Sequence, residues 1–428
     1  MQLFINPERE TWEDILQRPV FDTAALNDSV SAILADVKLN GDAAVKKYAL
    51  QFDKAALDNL KVSETEIAEA IVMVHDKLKV AINIAKDNIT LFHQMQQEAV
   101  IKVATTQGVT CWRKSVAIQK VGLYIPGGSA PLFSTLLMLG IPAVIAGCKD
   151  IVVCTPSNTN GKVHPVVLYV AQLIGLKNIY KLGGVQAIAA MAYGTATIPK
   201  VYKIFGPGNQ YVTCAKQLVN AGGVAIDMPA GPSEVAIYAD ETCNPAFVAA
   251  DLLSQAEHGA DSQVVVVANL LATIDAVKAE LVKQLEALPR KAIAGAALAY
   301  SRFIVIEDID TAFDFLNTYA AEHLIIASDD AEILAGKVVN AGSVFLGHYS
   351  PESAGDYASG TNHTLPTNGY AKAYSGVSLD SFLKKITFQQ VTEEGLQNIG
   401  SAVEIMAEAE GLGAHRNAIT IRLNEINK

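Results

Sequence analysis

The chain has 428 residues, of which 50% are hydrophobic, and its formal net charge at pH 7 is -11. This length indicates about two to three domains, and the composition provides enough apolar surface for a large core. The acidic balance and the lack of long Lys or Arg runs argue against a nucleic-acid partner and against anionic membranes. Five cysteines without a CxxC spacing are typical of a protein of the reducing cytoplasm, so we expect no disulfide framework.

The apolar stretch from residue 121 to 148 carries no charged side chain and could be taken for a membrane-spanning helix. Three prolines and a Gly-Gly pair interrupt it, which a continuous lipid-facing helix does not tolerate well. We therefore expect a buried strand, a turn and a helix there, and no membrane partner. The N-terminal sequence MQLFINPERETWED has early charges and no apolar core, which argues against a signal peptide.

Helical patterns are predicted at both ends of the chain. An N-terminal helical segment spans residues 1–20, and residues 63–98 form either one long helix or two stacked helices with Ser63 in the N-cap region. Residues 378–428 are predicted to be a helical tail. The segment before it, 347–377, is long, polar and rich in Gly and Ser, which is more typical of a functional loop than of an idle one.

Between these ends, strand and helix patterns alternate. Four strand–helix units follow one another from residue 118, and a second series of such units starts at residue 234. Alternation of this kind predicts parallel sheets covered by helices. The fold class is therefore α/β, with two Rossmann-like parallel-sheet domains that a duplication would explain, plus N-terminal helices and a C-terminal helical tail.

Glycine-rich turns follow three strands of the first series. Such turns expose backbone N–H groups and a helix N-terminus, which suits a pyrophosphate. One turn alone is a weak signal, but three in consecutive units indicate a nucleotide site. The turns are Gly127-Gly128, Gly183-Gly184 and Gly206-Pro207-Gly208-Asn209.

A dispersed set of ionisable and amide side chains is the second candidate site. Gln255 and His258 share one face of a predicted helix, and Glu322-His323 places an acid and a base where the apolar strand LIIAS begins. Each histidine alone is more often a solvated or packed residue. Together they can supply nitrogen, carboxylate and amide ligands to one cation such as zinc. The set comprises Gln255, His258, Glu322, His323, Asp356, His363, Glu410 and His415.

Several long segments resemble those of histidinol dehydrogenases. They are VGLYIPGGSAPLFST, FGPGNQYV, DMPAGPSE, LLSQAEHGADSQ, AEHL, SAGDYASGTNHTLPT and EGLGAHRNA, in order from about residue 110 to 420. The resemblance implies oxidation of L-histidinol to L-histidine through an aldehyde, with two NAD used in sequence and one bound zinc. These are the last steps of histidine biosynthesis.

The resemblance also implies a role for each matching residue. The zinc ligands would be Gln255, His258, Asp356 and His415, and the zinc would touch the amine and imidazole of the substrate. His323 would be the general base, and Glu322 would activate water onto the aldehyde. Substrate contacts would come from Ser233, His363 and Glu410 as well as from the zinc ligands and His323. NAD contacts would come from Tyr124, Gln186 and Asn209, on or beside the glycine turns.

We expect a matching domain division. After the N-terminal segment, residues 21–123 and 235–377 would form a discontinuous α/β domain that carries the metal and catalytic residues. Residues 124–234 would form the α/β domain that binds NAD. The tail from residue 378 would reach the partner subunit of an intertwined homodimer, so that each active site is shared. The expected location is the cytoplasm.

The residues by themselves leave two other kinds of protein open. A zinc metallohydrolase would use the same ligands with Glu322 as base and would need no nicotinamide. A non-catalytic protein that binds zinc or a nucleotide would keep the ligands without needing the Glu322-His323 pair. The three glycine turns count against the hydrolase.

Overall fold

The structure is a computed structural model and describes residues 1–18, 24–127, 132–229 and 231–428. Gly128 of the first predicted glycine turn lies outside the described residues. The strands are β1 (Gln2–Ile5), β2 (Lys102–Thr106), β3 (Val109–Ala117), β4 (Lys120–Tyr124), β5 (Asp150–Thr155), β6 (Asn178–Lys181), β7 (Lys203–Phe205), β8 (Ala225–Ile226), β9 (Glu234–Ala239), β10 (Gln263–Ala268), β11 (Arg302–Val305), β12 (His323–Ala327), β13 (Ser343–Leu346) and β14 (Leu383–Val391).

The helices cover both parallel sheets and form the C-terminal end of the chain. They are α1 (Trp12–Ile15), α2 (Ala24–Tyr48), α3 (Glu64–Met73), α4 (Asp76–Gln94), α5 (Phe133–Ala146), α6 (Pro165–Leu173), α7 (Gly184–Tyr193), α8 (Gln210–Ala221), α9 (Pro245–Ala256), α10 (Leu271–Ala287), α11 (Lys291–Ala299), α12 (Ile309–Tyr319), α13 (Ala331–Ala335), α14 (Glu352–Tyr357), α15 (Glu393–Ala409) and α16 (Gly413–Ile426).

A five-stranded parallel sheet is built from the first series of strand–helix units. Its strand order is β6-β5-β4-β7-β8. The chain leaves the central strand β4 in one direction for β5 and β6 and returns on its other side for β7 and β8. Loops at the carboxyl ends of β4 and β7 therefore diverge and open a crevice, which is where such sheets bind ligands.

A six-stranded parallel sheet is built from five strands of the second series and the N-terminal strand β1, in the order β1-β11-β10-β9-β12-β13. Without the edge strand β1, its strands follow the same winding order along the chain as those of the five-stranded sheet. The α/β fold with two parallel-sheet units is thus confirmed, and the shared winding order is what a duplication would leave behind.

Residues 63–98 form two helices, which was one of the two predicted arrangements. The side chain of Ser63 accepts a hydrogen bond from the backbone N–H of Glu66, and the Glu66 carboxylate accepts one from the Ser63 N–H, so α3 starts at a capping box. Val74 takes an extended conformation after α3, and the side chain of His75 caps α4. The break lets each helix pack on a different helix of the five-stranded sheet.

Both chain ends contain strands that the helical prediction missed. Residues 1–20 include β1, which pairs with β11, before short helical turns begin at Arg9. Residues 378–428 include the nine-residue strand β14, which pairs along its whole length with β3. With β2, these strands form a three-stranded antiparallel sheet. Most side chains of β14 are exposed on both faces, so no apolar alternation marks the strand in the sequence.

Contacts group residues 24–123 differently from the expected domain division. Helix α2 packs on α7 and α8, α3 packs on α6, and α4 packs on α5, so these helices cover the five-stranded sheet. The expectation had placed them with residues 235–377. The apolar faces of α2, α3 and α4 pack against the helices that belong to the five-stranded sheet. The alternation of strands and helices in the sequence does not indicate which helices pack together.

The strand and the helix predicted in the uncharged stretch 121–148 are both present, while residues 128–131 between them lie outside the described residues. It contains most of β4 and the 14-residue helix α5, all but the ends of which are buried. Within the part of the chain that the structure describes, no helix combines the length and the apolar character needed to cross a membrane.

Candidate active site

The predicted acid and base both lie at the amino end of β12, an interior strand of the six-stranded sheet that pairs with β9. His323 is the first residue of β12, and Glu322 precedes it. Because β12 pairs in parallel with β9, His323 is in register with Val235, one residue after Glu234. Both predicted catalytic side chains are buried, with 7% of Glu322 and 4% of His323 exposed. An acid and a base are therefore held together in a desolvated site.

The backbone of Glu234 contacts both of these side chains. Its N–H donates to Oε2 of Glu322 at 3.0 Å, and its carbonyl oxygen lies 3.3 Å from Nδ1 of His323. A carbonyl can only accept, so Nδ1 carries the proton in this hydrogen bond. Nε2 then has no bonded partner among the described residues and lies 3.6 Å from Oδ1 of Asp356. Nε2 is thus the ring nitrogen of His323 that is left free to accept a proton.

Carboxylates crowd around His323 and change its proton affinity. Burial alone would lower the pKa of the imidazole, but Glu322, Asp356 and Glu352 outweigh it and raise the pKa to about 10. Burial raises the pKa of Glu322 to about 7 and that of Glu352 to about 8. This excess of negative charge suits a cation. A divalent ion beside Asp356 would offset the carboxylates and lower the pKa of His323.

A possible metal site lies next to this pair. One ligand atom each from His258, Glu352 and Asp356 lies within 4.8 Å of the others. Glu352 and Asp356 are one helical turn apart on α14, so their side chains share a face. Nitrogen and carboxylate donors at this spacing fit zinc. His258 and Asp356 were predicted ligands, and the structure brings them together.

Gln255 is held at the edge of this group by Glu352. Gln255 is buried in the last turn of α9, and the orientation of its amide that satisfies both partners has the nitrogen donating to the two carboxylate oxygens of Glu352 at 3.0 and 2.6 Å. This orientation leaves the amide oxygen as the atom that could bind a metal. His258 lies beyond the end of α9, in a turn closed by its N–H to the Gln255 carbonyl, so the pair does not share a helix as predicted.

The sequence interpretation missed Glu352. It lies in the polar segment 347–377, which was taken as a loop, but residues 352–357 form α14. Glu352 is only 1% exposed. The signal that could have found it is the spacing of four residues to Asp356, which places two carboxylates on one helical face.

His363 and Ser233 border the site in different ways. Nδ1 of His363 donates to the carbonyl oxygen of Asp356 at 2.8 Å, and Nε2 lies 3.2 Å from Oγ1 of Thr135. Both ring nitrogens are therefore engaged within the chain, and burial lowers the pKa of this imidazole. Ser233 directly precedes β9 and is half-buried, with its carbonyl accepting from the N–H of Gln263.

Glu410 and His415 are not brought to this site within the chain. Both are exposed, at the end of α15 and in the first turn of α16. These helices pack on one another, and α15 also packs on β2 and β14. Among the described residues, the metal-ligating group contains neither side chain.

The predicted NAD contacts line a separate cavity of about 1010 Å³ at the carboxyl end of the five-stranded sheet. Tyr124 ends β4, and its hydroxyl accepts from the N–H of Gly184 at 3.1 Å. Gln186 is 1% exposed, and neither of its amide atoms has a hydrogen-bond partner in the described chain. Asn209 caps α8 through its side-chain oxygen. A buried amide that lacks partners beside a large cavity fits a polar ligand such as a dinucleotide.

The third glycine turn is fixed by a buried ion pair. Lys216 and Asp227 approach to 2.5 Å with side chains 4% and 1% exposed. Lys216 donates to the carbonyl oxygen of Gly206, and Asp227 accepts from the Gly206 N–H, both at 2.8 Å. Gly206 has a φ of +127°, and a Cβ there would lie 2.1 Å from the carbonyl oxygen of Tyr124. The turn thus requires glycine and holds Tyr124 and Asn209 on one wall of the cavity.

Comparison with known proteins agrees with the resemblance. A sequence model of the family described as histidinol dehydrogenase matches residues 16–423. Histidinol dehydrogenase of Bacteroides fragilis is 60% identical over 428 residues, with 100% of both chains covered. The chloroplastic histidinol dehydrogenase of Arabidopsis thaliana is 51% identical, with 97% of this chain and 89% of that protein covered.

A solved structure matches over the whole fold. The crystal structure of histidinol dehydrogenase from Elizabethkingia anophelis has 56% sequence identity and a TM-score of 0.98, covering 100% of this chain and 99% of that one. Similarity of this extent in sequence, family pattern and backbone shows that the chain is an oxidoreductase and belongs to the histidinol dehydrogenase family.

Proposed function

We propose that the chain oxidises L-histidinol to L-histidine through L-histidinaldehyde in a four-electron reaction that depends on zinc and NAD, as the last steps of histidine biosynthesis. The observation that carries the proposal is the buried Glu322-His323 pair beside the possible metal site, in a chain that belongs to the histidinol dehydrogenase family. A non-catalytic binding protein would have no use for an acid and a base in this position.

His323 acts as the general base in both oxidations. The hydride can leave the substrate carbon only as the proton of the hydroxyl group is removed, and Nε2 of His323 is the free nitrogen that can accept it. Nδ1 keeps its proton and donates it in a hydrogen bond to the carbonyl oxygen of Glu234, which holds the ring in one orientation. NAD, when bound, supplies the hydride acceptor.

Glu322 serves the second oxidation. An aldehyde has no hydroxyl proton to lose, so water must add to it before a second hydride can leave. A carboxylate whose pKa is about 7 can accept the proton of that water near neutral pH. The N–H of Glu234 fixes one of its oxygens, which leaves the other for the water.

The residues present fit both NAD and zinc. Tyr124, Gln186 and Asn209 would hold NAD in the cavity of the five-stranded sheet. Gln255, His258 and Asp356 would hold zinc, which when bound orients the substrate through its amine and imidazole. Glu352 would lie beside the zinc and keep the Gln255 amide in place.

We further propose that the remaining ligand comes from a second copy of the chain, in an intertwined homodimer. Helix α16 has no buried residue, and Ile405 and Met406 of α15 are 64% and 65% exposed. A tail with such apolar exposure gains by packing on another subunit. Glu410 and His415 would then complete the substrate and zinc sites of the partner.

We also place the protein in the cytoplasm, where its five free cysteines would stay reduced.

Zinc content and turnover should fall together when His258 is replaced. His258→Ala removes a direct ligand, so the loss of zinc affinity should exceed the roughly 10- to 100-fold that an outer-shell partner costs. The matched control is His348→Ala, since Nε2 of His348 contacts Asp329 at 3.0 Å outside this site. Elemental analysis and NADH absorbance measure both quantities. Full turnover by wild-type protein stripped of metal would refute the role of zinc.

Glu322 and His323 should affect the two oxidations differently. His323→Asn should slow both half-reactions by about 10²- to 10⁴-fold, the usual contribution of a general base. Glu322→Gln keeps an oxygen that accepts from the Glu234 N–H, so it should spare aldehyde formation and slow aldehyde oxidation. Single-turnover assays that start from L-histidinol and from L-histidinaldehyde separate the steps. Equal losses in both assays of Glu322→Gln would contradict the division of roles.

Subunit mixing tests the shared site. His258→Ala and His415→Ala are each expected to be inactive, but a mixed dimer would combine both lesions in one site and leave the other intact. Random pairing makes about half of the dimers mixed, so roughly a quarter of all sites should regain activity after dissociation and reassembly. If the mixture stays inactive although exchange of tagged subunits is demonstrated, Glu410 and His415 complete the site of their own chain and the shared site is refuted.

A further inference from the structure

We propose that the ion pair between Arg18 and Glu234 is a positioning device for the catalytic residues Glu322 and His323. This inference rests on the proposed function, because it assumes that these two side chains carry the proton transfers. Neither Arg18 nor the Glu234 side chain touches the possible metal site. Their effect on the reaction would pass through the backbone of Glu234.

The pair has the geometry of a strong and specific contact. Nε and Nη2 of Arg18 donate to the two carboxylate oxygens of Glu234 at 2.8 and 2.7 Å. The Arg18 side chain is 17% exposed and that of Glu234 is 3% exposed. Two parallel hydrogen bonds to a buried carboxylate fix the direction of both groups, which a single-point contact does not do.

Arg18 also ties Glu234 to the segment that leads to the catalytic residues. Nη2 of Arg18 donates to the carbonyl oxygen of Tyr319 at 2.7 Å, and the guanidinium lies 4.2 Å from the centre of the Tyr319 ring. Tyr319 is the last residue of α12, three positions before Glu322. One guanidinium therefore fixes the start of β9 relative to the turn that enters β12.

The backbone of Glu234 connects the ion pair to the acid and the base through two hydrogen bonds. Its N–H holds the Glu322 carboxylate, and its carbonyl holds Nδ1 of His323. The backbone N–H of Asn368 donates to Oε1 of Glu234, the oxygen that also accepts from Nε of Arg18, so a third hydrogen bond holds this carboxylate. If these hydrogen bonds to the Glu234 carboxylate are lost, the peptide units on both sides of Glu234 can tilt. The backbone groups that fix the positions of Glu322 and His323 then move.

Loss of Arg18 should therefore lower kcat and leave the KM for L-histidinol nearly unchanged. A displacement of about 1 Å of reacting groups can cost on the order of 10²-fold in rate, and we expect a loss of this size for Arg18→Ala. Arg18→Lys keeps the positive charge but cannot make the two parallel hydrogen bonds, so it should lose an intermediate amount of kcat. This variant can be measured even if Arg18→Ala folds poorly. Added guanidinium at millimolar concentration should restore part of the lost kcat of Arg18→Ala.

Arg302→Met is the matched control. Arg302 donates to the carbonyl oxygens of Ile15 and Tyr300, so it also anchors the N-terminal segment, but it does not contact Glu234. Its replacement should lower the melting temperature without lowering kcat. A similar kcat loss in Arg302→Met, without guanidinium rescue of Arg18→Ala, would mean that Arg18 is merely structural and would overturn the proposal.

A double variant separates this inference from the proposed function. In a His323→Asn background, Arg18→Lys should cost almost nothing further in the rate of aldehyde formation, because the base that serves this step is already removed. If His323→Asn is inactive but folded Arg18→Lys and Arg18→Ala retain wild-type kcat, the positioning role falls and the proposed function stands. If His323→Asn itself retains wild-type turnover, the proposed function falls and the inference falls with it.

Discussion

The parallel pairing of β9 with β12 is the contact on which the candidate active site depends. It sets Glu234 beside Glu322 and His323 at the amino ends of two interior strands, where burying three ionisable side chains would ordinarily be unfavourable. The cost is offset because each buried charge finds a partner. Arg18 pairs with Glu234, and backbone groups of Glu234 serve the other two. The hydrogen bonds around Glu234 are thus the main structural constraint, and they also position the residues of the proposed chemistry.

The two parallel sheets use opposite edges for their sites. The cavity lined by the predicted NAD contacts lies at the carboxyl edge of the five-stranded sheet, as expected for its winding order. The Glu322-His323 pair lies at the amino edge of the six-stranded sheet. Under the proposed function the two sheets have different roles: the five-stranded sheet would bind NAD, and the six-stranded sheet holds the acid and the base. The hydrogen bond between Thr135 and His363 links the two parts near the reaction centre.

Much of this arrangement could be predicted from the sequence, for physical reasons that differ between residues. Glu322-His323 was recognisable because two polar residues directly before an apolar strand must lie at its end. The glycine turns were recognisable because Gly206 needs a backbone conformation that other residues rarely adopt. Glu352 was missed because a single turn of helix inside a polar segment leaves almost no periodic signal. Strand β14 was missed because its partner β3 is more than two hundred residues away in the chain and both faces are largely polar or exposed.

The central claim is that one active site carries out two successive oxidations with NAD. The stoichiometry of NADH formed from a limiting amount of L-histidinol tests it most directly, with excess NAD and zinc-loaded protein. The account predicts two equivalents of NADH and one of L-histidine per L-histidinol, without release of the aldehyde to a trapping amine. A single equivalent of NADH with trapped aldehyde as the product, or no NADH at all, would contradict it.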